Sequence, residues 1–115
     1  MKSIIAFMLF GLFAFSVSAN ADDTLARGKV VYGKYCAKCH GINADGRGKD
    51  AYKYKPAPTN FHVARAPLPY VLDIIKKGGK GVNRSDNMPD WDGDLSKEQI
   101  EDVAKFVVSI RGDNK

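Results

Sequence analysis

Three stretches of this chain place apolar residues at helical spacing, and no run alternates long enough to make a confident strand. The last is the clearest. Ile100, Val103, Ala104, Phe106, Val107 and Ile110 form a stripe, Ser96 precedes it as an N-cap with Gln99 three residues on as a capping-box partner, and Gly112 ends it. The middle one carries Val71, Leu72, Ile74 and Ile75. It is expected to start at Pro67 or Pro69, because proline suits a first helical turn, and to close with Lys76 and Lys77 before Gly78 and Gly79. The first repeats Leu25, Gly28, Val31, Tyr32 and Tyr35, with Asp22 and Asp23 favouring the start and Thr24 as the cap. A glycine inside a helix costs up to about 1 kcal/mol relative to alanine, so Gly28 marks a close helix crossing. Phe106 is the expected neighbour, since a large ring needs a place where backbone is bare. The pattern predicts an all-α fold of three main helices, short turns and irregular loops, with the N- and C-terminal helices packed together.

A fourth apolar run is of a different kind. It extends from Ile4 to Phe15 behind Lys2 and gives way to small residues around Ser16 to Ala21. A charged start, an apolar centre and Ala-x-Ala-like sites at Ala19-Asn20-Ala21 or Val17-Ser18-Ala19 read as a signal peptide, residues 1–21. The run falls short of the ~18 residues that span a bilayer. The expectation is therefore an exported chain, periplasmic, with no stable membrane insertion after cleavage and one domain over 22–115. A domain of this size buries only about 60–65% of its unfolded surface and benefits from a staple.

Between the helices lie loops. Gly41 to Lys49 is rich in turn formers; it has neither a Gly-Lys-Ser/Thr ending nor a preceding strand, which argues against a phosphate cradle. Its glycines are expected to let backbone run close beside a bound group. Pro56-Ala57-Pro58-Thr59-Asn60-Phe61 is too proline-rich for regular structure. Lys80 to Asp94 is irregular and contains Asn87-Met88-Pro89.

The chemistry sits at Cys36-Ala37-Lys38-Cys39-His40. Cys-x-x-Cys-His is the attachment signal of a c-type haem: two thiols add to the vinyl groups and the histidine binds iron. On a helical turn Cys36, Cys39 and His40 stand at i, i+3 and i+4, on one face. The alternatives are a dithiol redox site or disulfide and a zinc site. The former lacks a surrounding βαβ pattern in its thioredoxin form, and the latter would need Cys36, Cys39, His40 and His62, the only other histidine. With a haem in place, Met88 is the candidate sixth ligand. Pro89 pushes it toward extended backbone, so its thioether projects from a loop, and it is the only methionine after the leader.

Charge adds a direction. The net +5 is polarised: from Arg27 to Arg84, 13 Lys or Arg stand against three Asp, and from Ser85 onward four stand against eight acids. A basic surface around Lys34, Lys38, Lys49, Lys53 and Lys55 suits steering toward an acidic redox partner, or is simply solvated. No basic helix or aromatic-basic sheet motif points to nucleic acid.

With these residues in hand, the chain over 24–112 resembles the class I cytochromes c, the small single-haem ones of bacteria and algal lumens. The resemblance rests on Cys36-Ala37-Lys38-Cys39-His40-Gly41, Asp45-Gly46-Arg47-Gly48, Pro58-Thr59-Asn60-Phe61, a helix closing on Gly78, Asn87-Met88-Pro89 and a terminal helix. It implies one covalent haem c with Cys36 and Cys39 as thioethers and His40 and Met88 as axial iron ligands. It also implies a proline carbonyl accepting the second N–H of His40, Pro58 before Pro56. Trp91 lies where its indole N–H can reach a haem propionate or its ring can pack on the surface, and His62 matches no ligand position. The implied function is one-electron transfer between respiratory or other redox proteins, by a monomer in transient complexes, with no catalytic residue. The other readings are a haem enzyme or a gas- or peroxide-reactive sensor with a labile sixth ligand, and an electron-transfer subunit of a larger complex.

Overall fold

The computed structural model describes residues 11–18 and 20–111. Most of the expected leader, its Lys2, Ala19 and Gly112 lie outside them. Helix α1 runs Ala21–Tyr35, α2 is the four-residue Ala37–His40, α3 spans Leu68–Gly81 and α4 spans Lys97–Ser109. A 3₁₀ turn at Ala51–Lys53 interrupts the long connection, and no strand occurs among the described residues.

The helix ends follow local chemistry. At α4 the capping box forms: the Gln99 N–H donates to Ser96 Oγ at 3.1 Å and the Ser96 N–H to Gln99 Oε1 at 2.9 Å. At α3, Pro67 is the N-cap and Pro69 sits in the first turn, where a missing N–H costs nothing. The regular part ends at Lys77, because Gly78 takes φ 71° and only a tight turn follows. Helix α1 starts earlier than expected. Its N-cap is Asn20, and Thr24 lies one turn inside, its hydroxyl donating back to the Asn20 carbonyl at 3.4 Å. Asp22 and Asp23 then fall in the first turn, where the helix dipole favours acids, so the helix extends past that cap.

Helices α1 and α4 cross at Gly28. A Cβ there would stand 2.8 Å from Phe106 Cβ and closer still to the Asp102 carbonyl, so the expected Gly28–Phe106 contact is present and only glycine permits it. Ile100, Val103 and Ala104 are fully buried, and Val31, Tyr32, Val71, Ile75, Leu95 and Val107 complete the core with Ala44. Among the described residues one charged side chain is buried. Asp102 is 4% exposed and accepts from Arg27 of α1 through Nε at 2.7 Å and Nη2 at 3.3 Å, a two-pronged pair beside the crossing. Tyr32 reaches the other way, donating its hydroxyl to the Gly41 carbonyl at 2.6 Å while its ring lies 5.4 Å from Phe106. The N- and C-terminal helices thereby fix the position of the segment that carries the cysteines.

Candidate haem site

Cys36 is the hinge between α1 and α2. Its N–H closes the last turn of α1 on the Tyr32 carbonyl at 2.9 Å, and its own carbonyl accepts from Cys39 at 3.2 Å and His40 at 2.9 Å. The motif is thus one helical turn with both sulfurs and the imidazole on a common face. Both thiols are free. Burial, with a smaller push from Cys39, drives the Cys36 thiol up to about 12, the reverse of the acidic thiolate a dithiol redox site needs.

The following loop folds back along this turn. The Gly46 N–H donates to the His40 carbonyl at 2.8 Å, Gly48 to Cys39 at 3.1 Å and Asp50 to Lys38 at 2.8 Å. A side chain on Gly48 would run into the Ala37 and Lys38 carbonyls. At Gly48 the loop's close approach is to the backbone of the motif itself.

His40 is held by two contacts that the motif alone does not specify. Its Nδ1 lies 3.1 Å from the Thr59 carbonyl, and its ring stacks on Phe61 with centroids 4.5 Å apart and 23° between planes. A carbonyl can only accept, so Nδ1 carries the proton and Nε2 keeps its lone pair for a metal. Burial, opposed by the Thr59 bond, holds the imidazole below its ordinary value and favours that neutral form. Thr59 takes the place expected of Pro58 or Pro56. The Pro58 carbonyl is turned toward the bare Cα of Gly46, which leaves the next carbonyl along to face the imidazole.

Met88 arrives from the other end of the chain on a loop, as its proline neighbour requires. The Gly79 N–H donates to its carbonyl at 2.9 Å, the Trp91 N–H to the Ile75 carbonyl at 2.9 Å, and the Asn87 side-chain amide to the Lys55 carbonyl at 3.3 Å. The Met88 loop is thereby pinned to the end of α3 and to the segment before Thr59. Trp91 packs edge-on to Tyr35 at 5.5 Å.

Cys36, Cys39, His40, Thr59, Phe61, Met88 and Trp91 all line one cleft of about 980 Å³, at the upper end for a cofactor site. Val71, Ile74, Ile75, Val103 and Val107 give it apolar walls. Among the described residues its lining includes Lys38, Arg65, Arg84 and Arg111 and no Asp or Glu. A tetrapyrrole with an apolar face, two vinyl groups and two carboxylates matches each feature: paired sulfurs, an imidazole lone pair, apolar walls and cations. Zinc does not fit. His62 donates Nε2–H to the Asn43 carbonyl at 2.6 Å, away from the cysteines, and no group of three or more His, Cys, Asp or Glu is placed to hold a metal among the described residues. The contacts of Thr59, Phe61 and Tyr32 with the motif are not legible in the sequence. Only the proximity of Thr59 and Phe61 to Pro58 signalled them.

An all-helical domain enclosing such a cleft above a Cys-x-x-Cys-His turn defines a c-type haem protein. Comparison with known proteins agrees. The family model described as cytochrome c oxidase, cbb3-type, subunit III matches residues 23–107. A cytochrome c6 of Nostoc sp. is 32% identical over 112 residues, covering 94% of this chain and 93% of its own length. The CcoP subunit of a cbb3-type cytochrome c oxidase from Azospirillum sp. is 28% identical over 87% of this chain, which spans only 34% of that subunit. Among solved structures, a chain of the reducing HAO-like protein complex of Kuenenia stuttgartiensis superposes with a TM-score of 0.63 at 29% identity, over 74% of this chain and 41% of that one. This chain belongs to the cytochrome c family. Membership implies a covalently bound haem c with its iron, and electron transfer as the work it does.

Proposed function

We propose that the chain is an exported, periplasmic carrier of single electrons, in which Cys36 and Cys39 tether one haem c and His40 and Met88 are its axial iron ligands. The observation that supports this best is the convergence of the Cys36-to-His40 turn and Met88 on one apolar cleft. The bound haem supplies a one-electron Fe(III)/Fe(II) couple. His40 offers Nε2 because Thr59 holds the proton on Nδ1, and that hydrogen bond strengthens the imidazole as a donor. Met88 contributes a thioether, which favours the reduced state relative to a second histidine. With both residues on the metal no position is left for substrate, so the chain carries electrons and is not an enzyme. Lys34, Lys38, Arg47 and Lys49 gather around a shallow depression that also holds the exposed Ile42. Basic charge around an apolar centre suits a brief encounter with an acidic redox partner.

The test is a visible absorption spectrum of protein exported with the haem-maturation machinery, oxidised, reduced, and reduced under carbon monoxide. Low-spin c-type bands that ignore carbon monoxide are expected. A carbon monoxide shift would transfer the reading to an enzyme or sensor with an open sixth position. The longer CcoP relative supports a second arrangement, the same domain serving as a subunit of a larger complex. Co-purification of the tagged chain with a stable partner would favour it over a free carrier.

A further inference from the structure

Two segments that are far apart in sequence wall the cleft, and one side chain ties them together. Asn87 donates from Nδ2 to the Lys55 carbonyl at 3.3 Å, across 32 residues of chain. Tyr54 and Pro56, on either side of Lys55, line the cleft from one segment, and Asn87, Met88 and Pro89 line it from the other. Among the described residues no other hydrogen bond joins residues 54–61 to residues 79–94. The remaining bonds of the Met88 loop run to α3, as from the Trp91 N–H to the Ile75 carbonyl, or stay local, as from the Asn87 N–H to Ser85 Oγ at 3.2 Å.

The place of this bond gives it a consequence. Asn87 directly precedes Met88, and Lys55 lies four residues before Thr59, whose carbonyl faces Nδ1 of His40. We infer that Asn87 is a positioning residue, a latch that holds the Met88 loop to the opposite segment and so sets how readily a small neutral ligand displaces Met88. The latch is one neutral hydrogen bond between exposed residues, the kind of contact that opens at little cost while the bonds to α3 stay made. Access to the sixth position is therefore governed by how often the latch is open. The inference rests on the His40 and Met88 reading above.

The two can fail separately. Wild-type holoprotein that lacks haem bands, or whose reduced bands shift under carbon monoxide, would remove the reading and the latch together. With a closed sixth position established, the latch is tested by mixing ferric holoprotein with excess imidazole in a stopped-flow spectrometer, where the rate reaches a plateau limited by departure of Met88. Asn87→Ala removes the side-chain amide but keeps the backbone N–H that bonds to Ser85, and is expected to raise the plateau about two- to tenfold, the worth of one neutral hydrogen bond. Asn87→Asp keeps the size, loses the donor and sets a carboxylate oxygen against the Lys55 carbonyl, so its rise should be at least as large. Asp102→Leu weakens the α1–α4 crossing without touching the cleft lining, and should lower the denaturant midpoint while leaving the plateau at its wild-type value. The latch is overturned if Asn87→Ala or Asn87→Asp binds imidazole at the wild-type plateau rate, or if Asp102→Leu accelerates binding as much as they do.

Discussion

The backbone N–H of Gly79 donates to the carbonyl of Met88 across 2.9 Å, and a Cβ on Gly78 would stand 2.9 Å from that same oxygen. The glycine pair that ends α3 is therefore also the seat of the methionine loop. Its bare backbone is what lets Met88 come down onto the helix end, and a helix stop becomes part of a ligand site.

Gly78→Ala tests this. Gly78 holds φ 71°, where a side chain costs of the order of 1–2 kcal/mol, and the added methyl would also press on the Met88 carbonyl. The expected result is a loss of about 2–3 kcal/mol in denaturant unfolding, combining backbone strain with crowding, together with a reduced haem that now responds to carbon monoxide. An unaltered spectrum under carbon monoxide would separate the glycine from the ligand loop.

Gly28→Ala sets two effects against each other. Alanine gains about 1 kcal/mol of helix propensity, yet its methyl would overlap the Asp102 carbonyl and crowd Phe106. Overpacking of 1–3 kcal/mol, here against backbone that cannot swing aside, is expected to win. The variant should unfold at lower denaturant than the wild type; a more stable variant would show that the crossing is looser than described.

Arg27 and Asp102 are unequal partners. Asp102 is buried and the Arg27 side chain is 43% exposed, so removing each leaves a different residue behind. Arg27→Met strands a carboxylate in the helix crossing and should lower Tm by about 10 °C. Asp102→Leu leaves only a hydrated guanidinium and should cost less. The double variant should recover part of what Arg27→Met loses, because no unpaired charge remains buried. Equal losses for the two single variants would argue against an asymmetric pair.

Tyr32 provides a pH dependence. Burial, aided by the Cys36 and Asp45 side chains, pushes its phenol well above the ordinary tyrosine value, and its hydroxyl donates to Gly41. Its folded pKa exceeds the unfolded one, so its contribution is complete below about pH 10 and declines above it, by up to about 1.4 kcal/mol per pH unit. Urea midpoints measured from pH 8 to 11 should fall more steeply for the wild type than for Tyr32→Phe. The variant should lose about 1 kcal/mol at neutral pH, the value of the missing hydrogen bond. Parallel curves would assign the alkaline loss to other groups.

Reversal of the basic cluster tests the encounter surface. Lys53 is tied to Asp50 at 3.0 Å, so Lys34, Lys38 and Lys49 are the better positions to change. Replacing these three by Glu should slow electron exchange with an acidic partner at least tenfold at low ionic strength and flatten its salt dependence. Stopped-flow rates across a salt series would reveal this. A salt slope equal to the wild type's would remove the cluster from the encounter.

Much of this molecule is legible along the chain because its signals are local. The capping box at Ser96, the Pro-rich start and Gly-Gly end of α3, and the haem turn at Cys36 to His40 each depend on neighbours within a few residues. The Gly28–Phe106 contact was readable from one anomaly, a glycine in an otherwise apolar helix stripe. What stayed hidden is set by segments far apart in sequence. Thr59 and not Pro58 supplies the carbonyl to His40, because loop packing at Gly46 orients that backbone. Asp102 is buried because Arg27, 75 residues away, reaches it. Phe61 stacks on His40, and Arg84 meets Tyr70 at the cleft, only after α3 and the loops close around it. Sequence determined which residues can bind haem and where the helices begin and stop, since hydrogen bonding within a turn or two decides that. Tertiary structure decided which carbonyl, ring and cation stand beside them, since those depend on how distant backbones pack.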